Sequence, residues 1–377
     1  MNPKKIDIFT LPEPYPDEFL NSIIARYHCH SGNILEAKSR CELCGVPYEK
    51  KWISNVNHQT VFDTMRKYIE AHGPTIGTMT ECFIKYTSFP FEARFLSTES
   101  KKKMISLYLP SEEEKDSKRK RRLLRNGITA PEASYLRYCP DCVREDIEKY
   151  REPYWHRIHQ LRIMQCCPVH KRVLLETNPP CWTMSRQYPQ YADDISCSES
   201  SPYADAMSLM IARNANLLLT HPFSFDSDEQ VTNGIRVCLI AACIHKGYCL
   251  NEVTRFTGKW VSKIIYADLL RTFGESFLFI NDILGESTLH RILHDNFSTE
   301  TTSTASILLF MTYFGIPAKT FLDNGLMKKR YHQAKQLCEV PDSERLLFSN
   351  LPNELGLPLE LVPRFITCFR NMEKSNL

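Results

Sequence analysis

The sequence predicts a mainly α-helical protein in which helix-turn-helix-like helical domains surround a small cysteine- and histidine-bearing module. Three observations lead there. Apolar residues recur three and four positions apart over much of the chain, few segments alternate as strands do, and two short Cys-Pro-x-Cys and Cys-Pro-x-His pairs interrupt the helical pattern. The 377 residues suffice for two or three domains, and 43% hydrophobic against 24% charged residues exclude a disordered chain.

The first helix is expected from Pro16, with Asp17 and Glu18 at its positive end and Phe19, Leu20, Ile23, Ile24 and Tyr27 on one face. Ser31-Gly32-Asn33 stops it. A second helix is expected from about Asn33 to Cys44, ended by Gly45-Val46-Pro47, and a third over Val61 to His72. Residues 1–110 thus read as a helical domain whose short helices and glycine turn are compatible with helix-turn-helix packing. Charge without apolar periodicity marks 111–131 as a basic linker or exposed helix. The cysteine module occupies 132–180, and the polar stretch Ser185 to Tyr203 reads as loop. Helical spacing returns over Met207–Leu219, Gly234–His245, Asn251–Phe256, Trp260–Phe273, Thr288–Leu293 and Ser303–Phe314, so 181–377 is expected to be a second helical domain.

Cys139-Pro140-Asp141-Cys142 and Cys167-Pro168-Val169-His170 are separated by 24 residues. Each two-residue gap folds the chain into a tight turn that aims two ligands at one point. Three thiolates and an imidazole complete a tetrahedral shell, the closed arrangement of one structural zinc ion, with no position left for a catalytic water. Cys166 is an alternative third ligand, although the regular spacing favours Cys167. His156 and His159 would oversubscribe the site and are expected to pack over it. Cys41 and Cys44, with His28, Cys29 or His30, are compatible with a second metal site, but core cysteines are the favoured reading. Cys181 and Cys197 each stand alone.

Between Lys101 and Arg172 there are 18 Lys and Arg against 10 Asp and Glu, so the middle of the chain is a basic island within a net charge of +3. Its densest part is Lys118, Arg119, Lys120, Arg121 and Arg122, with Arg125 beyond. Adjacent cations gain by neutralising phosphate with release of counterions, which suggests a nucleic-acid contact; a solvated linker is the competing reading. Lys259 and Lys263 lie one helical turn apart in a segment loosely spaced like a helix-turn-helix, and the stretch Ser303–Asp323 around Gly315-Ile316-Pro317 has a similar form. No P-loop, G-x-S-x-G or H-E-x-x-H motif is present, and the carboxylates form no nuclease-like pattern, so no enzyme is expected. The amino-terminal residues lack the h-region of a signal peptide and no apolar run is long enough to span a bilayer, so a cytoplasmic protein is expected.

Pro14-Tyr15-Pro16-Asp17-Glu18 leading into Ser22-Ile23-Ile24-Ala25-Arg26, then Arg137-Tyr138 before the first cysteine pair, Tyr154-Trp155-His156-Arg157-Ile158-His159-Gln160-Leu161, and Cys167-Pro168-Val169-His170 together resemble the TniQ/TnsD family of transposon target-site selectors. The resemblance covers roughly residues 12 to 175, with a vaguer likeness after Leu250. It implies a non-enzymatic, nucleoid-associated bacterial protein that recognises target DNA and recruits a TnsC-type AAA+ ATPase and through it the transposase. Short members can instead dock on a CRISPR Cascade–crRNA complex. The family's zinc ligands fall on Cys139, Cys142, Cys167 and His170. This chain is shorter than typical TnsD proteins, yet its zinc stretch is the more TnsD-like.

Overall fold

The computed structural model describes residues 11–45, 61–108, 136–176, 201–247, 304–341 and 351–374. In chain order the helices are α1 Leu20–His30, α2 Glu36–Leu43, α3 Val61–His72, α4 Met79–Tyr86, α5 Phe89–Glu92 and α6 Thr98–Tyr108. The strand β1 Arg137–Tyr138, helix α7 Pro140–Tyr150 and strand β2 Leu175–Glu176 follow, and then α8 Ala206–Thr220, α9 Glu229–His245, α10 Thr304–Tyr313, α11 Ala318–Leu322, α12 Asn324–Glu339, α13 Leu351–Glu354 and α14 Val362–Lys374. The described chain is therefore mainly helical, with one two-stranded antiparallel ribbon. It divides into two compact units, 1–90 with 103–212 and 91–102 with 213–377.

In the first unit, α1 is buried from Leu20 to His28 because three elements cover it, α2 and α3 on one side and the Tyr154–Leu161 stretch on another. A core of Phe19, Leu136, Tyr138, Val143 and Trp155 sits under the ribbon. α1 begins at Leu20, not at Pro16. The reason is a competing partner: Asp17 has φ +55 and Phe19 is extended, so this segment runs antiparallel to residues 155–157 instead of entering the helix. Glu18 and His156 form that bridge, and Phe19 N–H donates to Trp155 O at 2.8 Å. α2 likewise starts at Glu36, after an extended Leu35, instead of near Asn33.

The second unit packs α9 along α12 and closes the pair with α14, around Val237, Ile240, Ile244, Leu337, Phe365 and Phe369. The close approach of α9 to α12 depends on Gly234, since a Cβ there would overlap Met327 O. α9 starts at Glu229, five residues before the apolar spacing begins, because Asp228 Oδ1 accepts from Gln230 N–H at 2.8 Å and caps a polar first turn. Helices α10 and α11 flank the Gly315-Ile316-Pro317 break. α12 and α14 have no counterpart in the sequence expectation: α12 buries only Met327, Ala334 and Leu337 among Lys, Arg and Gln, a stripe too narrow to stand out. The expected helices Asn251–Phe256, Trp260–Phe273 and Thr288–Leu293 lie outside the described residues.

Candidate metal centre

Both knuckles are made by local chain geometry. Cys139 is extended at the head of α7, Pro140 opens the helix, and Cys142 stands in its first turn. In the second knuckle, Lys171 N–H donates to Cys167 O at 2.9 Å and Cys167 N–H to Arg172 O at 2.8 Å, with Lys171 at φ +60 completing the turn. The ribbon registers Arg137 with Glu176 and Tyr138 with Leu175, which brings the knuckles side by side. Asp141 accepts from Arg172 Nε at 3.2 Å across the gap.

Cys139, Cys142, Cys167 and His170 converge so that their donor atoms lie within 4.8 Å of one another, a group that could hold a metal ion. The sulfurs of Cys142 and Cys167 are 3.7 Å apart, and His170 Nδ1 stands 3.6, 3.2 and 3.7 Å from the sulfurs of Cys139, Cys142 and Cys167. A tetrahedron with Zn–S of about 2.3 Å and Zn–N of about 2.0 Å has edges of about 3.8 and 3.5 Å, so the spacing and the soft donor set both fit zinc. All three cysteines are buried. With four protein donors the shell is closed, the form of a structural site.

The electrostatics are those of thiols crowded together. Hydrogen bonds from Cys139 and Cys142, joined by the Val169 and His170 amides, hold the Cys167 thiol far below its ordinary range, whereas hydrogen bonds with Cys139 and Cys167, and then burial, push Cys142 up. Burial alone would lower the pKa of His170, but its hydrogen bond to Glu145 and the field of Cys167 raise it to about 9. His170 Nε2 lies 2.9 Å from Glu145 Oε1. The carboxylate thus stands behind Nε2 while Nδ1 faces the sulfurs, the usual arrangement behind a metal-bound histidine.

Sequence reasoning missed this outer shell. Glu145 follows Cys142 by three residues, one helical turn, which is the available signal. Two further groups surround the module. Asp17 accepts from Arg157 Nε and from Ile158 N–H, both at 3.0 Å. Buried Arg26 donates to Glu18 and to Glu152, each at 2.9 Å, and its guanidinium lies 3.8 Å from the Tyr15 ring centroid. The motif Pro14–Glu18 and the motif Tyr154–Leu161 are thus two sides of one strap.

The remaining candidates are placed as follows. Cys166 is not a member of the converging group and pairs through its backbone with Val173. His156 Nε2 lies 2.8 Å from Asp146 Oδ2, while burial, then the neighbouring His156, drives the wholly enclosed His159 down to about 3. Cys41 and Cys44 are buried, and among the described residues they join no group of three metal-binding side chains. His28 is engaged with Ser39 and His30 with Glu152. Lys118, Arg119, Lys120, Arg121, Arg122, Arg125, Lys259 and Lys263, and also Cys181 and Cys197, lie outside the described residues.

Among the described residues no helix is long and apolar enough to cross a membrane. Residues 9–174 match the model of the TniQ family. A stretch of 162 residues is 25% identical to "Transposon Tn7 transposition protein TnsD" of Escherichia coli, covering 42% of this chain and 30% of that protein. The match therefore spans less than a third of the relative's own length.

Proposed function

We propose, from the match of residues 9–174 to the TniQ family model and the likeness to TnsD, that this protein selects target sites for transposition. It binds target DNA and recruits a TnsC-type AAA+ regulator, which brings the transposase. It acts in the bacterial cytoplasm at the nucleoid, and its role is to hold partners together, not to make or break bonds. The observation that carries this reading is the family match itself, which runs through the strap and through both knuckles.

In this reading one zinc ion sits on Cys139, Cys142, Cys167 and His170 and fastens α7 to the second knuckle. A closed shell offers no water for hydrolysis, which agrees with a binding role. Lys118, Arg119, Lys120, Arg121, Arg122 and Arg125 contact phosphates, and Lys259 and Lys263 extend that contact.

The test is duplex binding at two or more salt concentrations. Phosphate contacts should give an affinity that falls steeply with salt, and replacing Lys118, Arg119, Lys120, Arg121 and Arg122 with Glu should weaken binding to all sequences alike. Absence of salt-sensitive affinity for any duplex removes the DNA-binding reading. Recovery of the protein on a Cascade–crRNA complex without a footprint on free DNA would replace it with docking on that complex.

A further inference from the structure

The second knuckle carries an aromatic group that the metal centre does not use. Residues 202–204 run antiparallel to 171–173: Arg172 and Tyr203 form the bridge, and Val173 N–H donates to Pro202 O and Ala204 N–H to Lys171 O, both at 2.9 Å. This pairing sets the Arg172 guanidinium over the Tyr203 ring, 3.9 Å from its centroid. Arg172 is itself fixed by two further contacts, Asp141 Oδ2 at 3.2 Å and Ser201 O at 3.0 Å. One face of the ring is therefore covered and held in place. Tyr203 is nonetheless 69% exposed, so its other face is open.

Lys171 borders this ring, since its carbonyl receives the amide of the residue after Tyr203. It is exposed, and its φ of +60 is one that glycine adopts without steric cost, so the chain keeps a cation where the backbone alone would favour glycine. Among the described residues its ammonium has no ion pair. The nearby carboxylates are engaged elsewhere: Asp141 by Arg172 and Arg144, Glu145 by His170, and Asp205 by the amides of Met207 and Ser208 at the head of α8. The uncommitted charge beside the ring is positive.

A ring backed by a guanidinium discriminates among partners. A second cation on the outer face would meet like charge, whereas a planar, electron-rich ring joined to an anion is attracted by the ring and by Lys171 together. A nucleobase with its phosphate is that combination. In a duplex the faces of each base are covered by its neighbours, so only an unpaired base can reach the platform. We propose that Tyr203, backed by Arg172, stacks an unpaired nucleobase while Lys171 contacts the adjoining phosphate, so that this knuckle holds a single-stranded or locally opened stretch of nucleic acid. The proposal deepens the target-DNA reading and rests on it for the class of ligand, but it concerns residues outside the basic run.

The experiment is fluorescence anisotropy of the full chain, purified with zinc, against a short labelled oligothymidylate, an abasic strand of the same length, the corresponding oligouridylate and a duplex. Saturable binding to oligothymidylate, weakened about tenfold when the bases are removed, is expected. Tyr203→Leu should lose the same factor of about ten on the single strand and nothing on the duplex, and Tyr203→Phe should retain binding. Lys171→Gln should reduce the salt dependence by about one phosphate contact. The uridylate arm tells DNA from RNA as the source of the strand. The abasic strand, tested on the unaltered chain, gives a readout that survives if Tyr203→Leu does not fold. Duplex binding accompanied by equal affinity for base-bearing and abasic strands, or by unchanged single-strand affinity in folded Tyr203→Leu, overturns the proposal and leaves the target-DNA reading standing. Absence of affinity for strand and duplex alike overturns both.

Discussion

Glu18 is wholly buried beside Arg26, and burial raises its pKa while Arg26 opposes that rise. Arg26 is thus the counter-charge without which a carboxylate would be stranded in the core. Arg26→Met should destabilise the protein by about 3–5 kcal/mol in denaturant unfolding, the cost of breaking a buried pair from one side. At the metal centre, Cys142→Ala should reduce bound zinc from one equivalent to none by elemental analysis. Glu145→Gln should keep the metal but weaken it about 10–100-fold in chelator competition, since the group that orients His170 loses its charge. The convergence of Cys139, Cys142, Cys167 and His170 was legible in the sequence because each pair is local and two residues of spacing determine the turn. Arg26 and Glu152 were not, because their partners are 126 residues apart and no spacing rule connects them.

Helices were legible where apolar spacing was broad, and their starts were misplaced where a side chain or a partner strand decided the matter. α3 matches its expected span, whereas Asp228 moves the start of α9 forward and the strap moves the start of α1 back. α12 escaped notice because its buried stripe is three residues wide. Its packing nonetheless yields a sharp expectation at Gly234. Alanine normally stabilises a helix interior by about 1 kcal/mol relative to glycine. Here the added Cβ would overlap Met327 O, so Gly234→Ala should destabilise the second unit by about 1–3 kcal/mol and lower its melting temperature. A gain in stability would show that α9 and α12 do not approach so closely.

For the molecule as a whole, the ribbon and two knuckles form a module with few regular hydrogen bonds of its own, lying over the core of Phe19, Val143 and Trp155. Structural zinc binding supplies on the order of 10–16 kcal/mol, more than the net stability of most domains. Chelation should therefore expose Trp155, which is 1% exposed, and shift its fluorescence to the red, with recovery on adding zinc under reducing conditions. A chelator that strips the metal without moving the emission would show that the module stands unaided.

The strap has a consequence for how the protein is made. Asp17 meets Arg157 across 140 residues of chain, so the buried flank of α1 receives its cover only when that much more polypeptide has left the ribosome. At ordinary elongation rates the wait is on the order of ten seconds. During it, Phe19, whose cover is Leu136, Tyr138, Val143 and Trp155, offers an oily surface to whatever is nearby, and a nascent chain halted short of Tyr154 should be held by chaperones or aggregate, whereas one released beyond His170 should not.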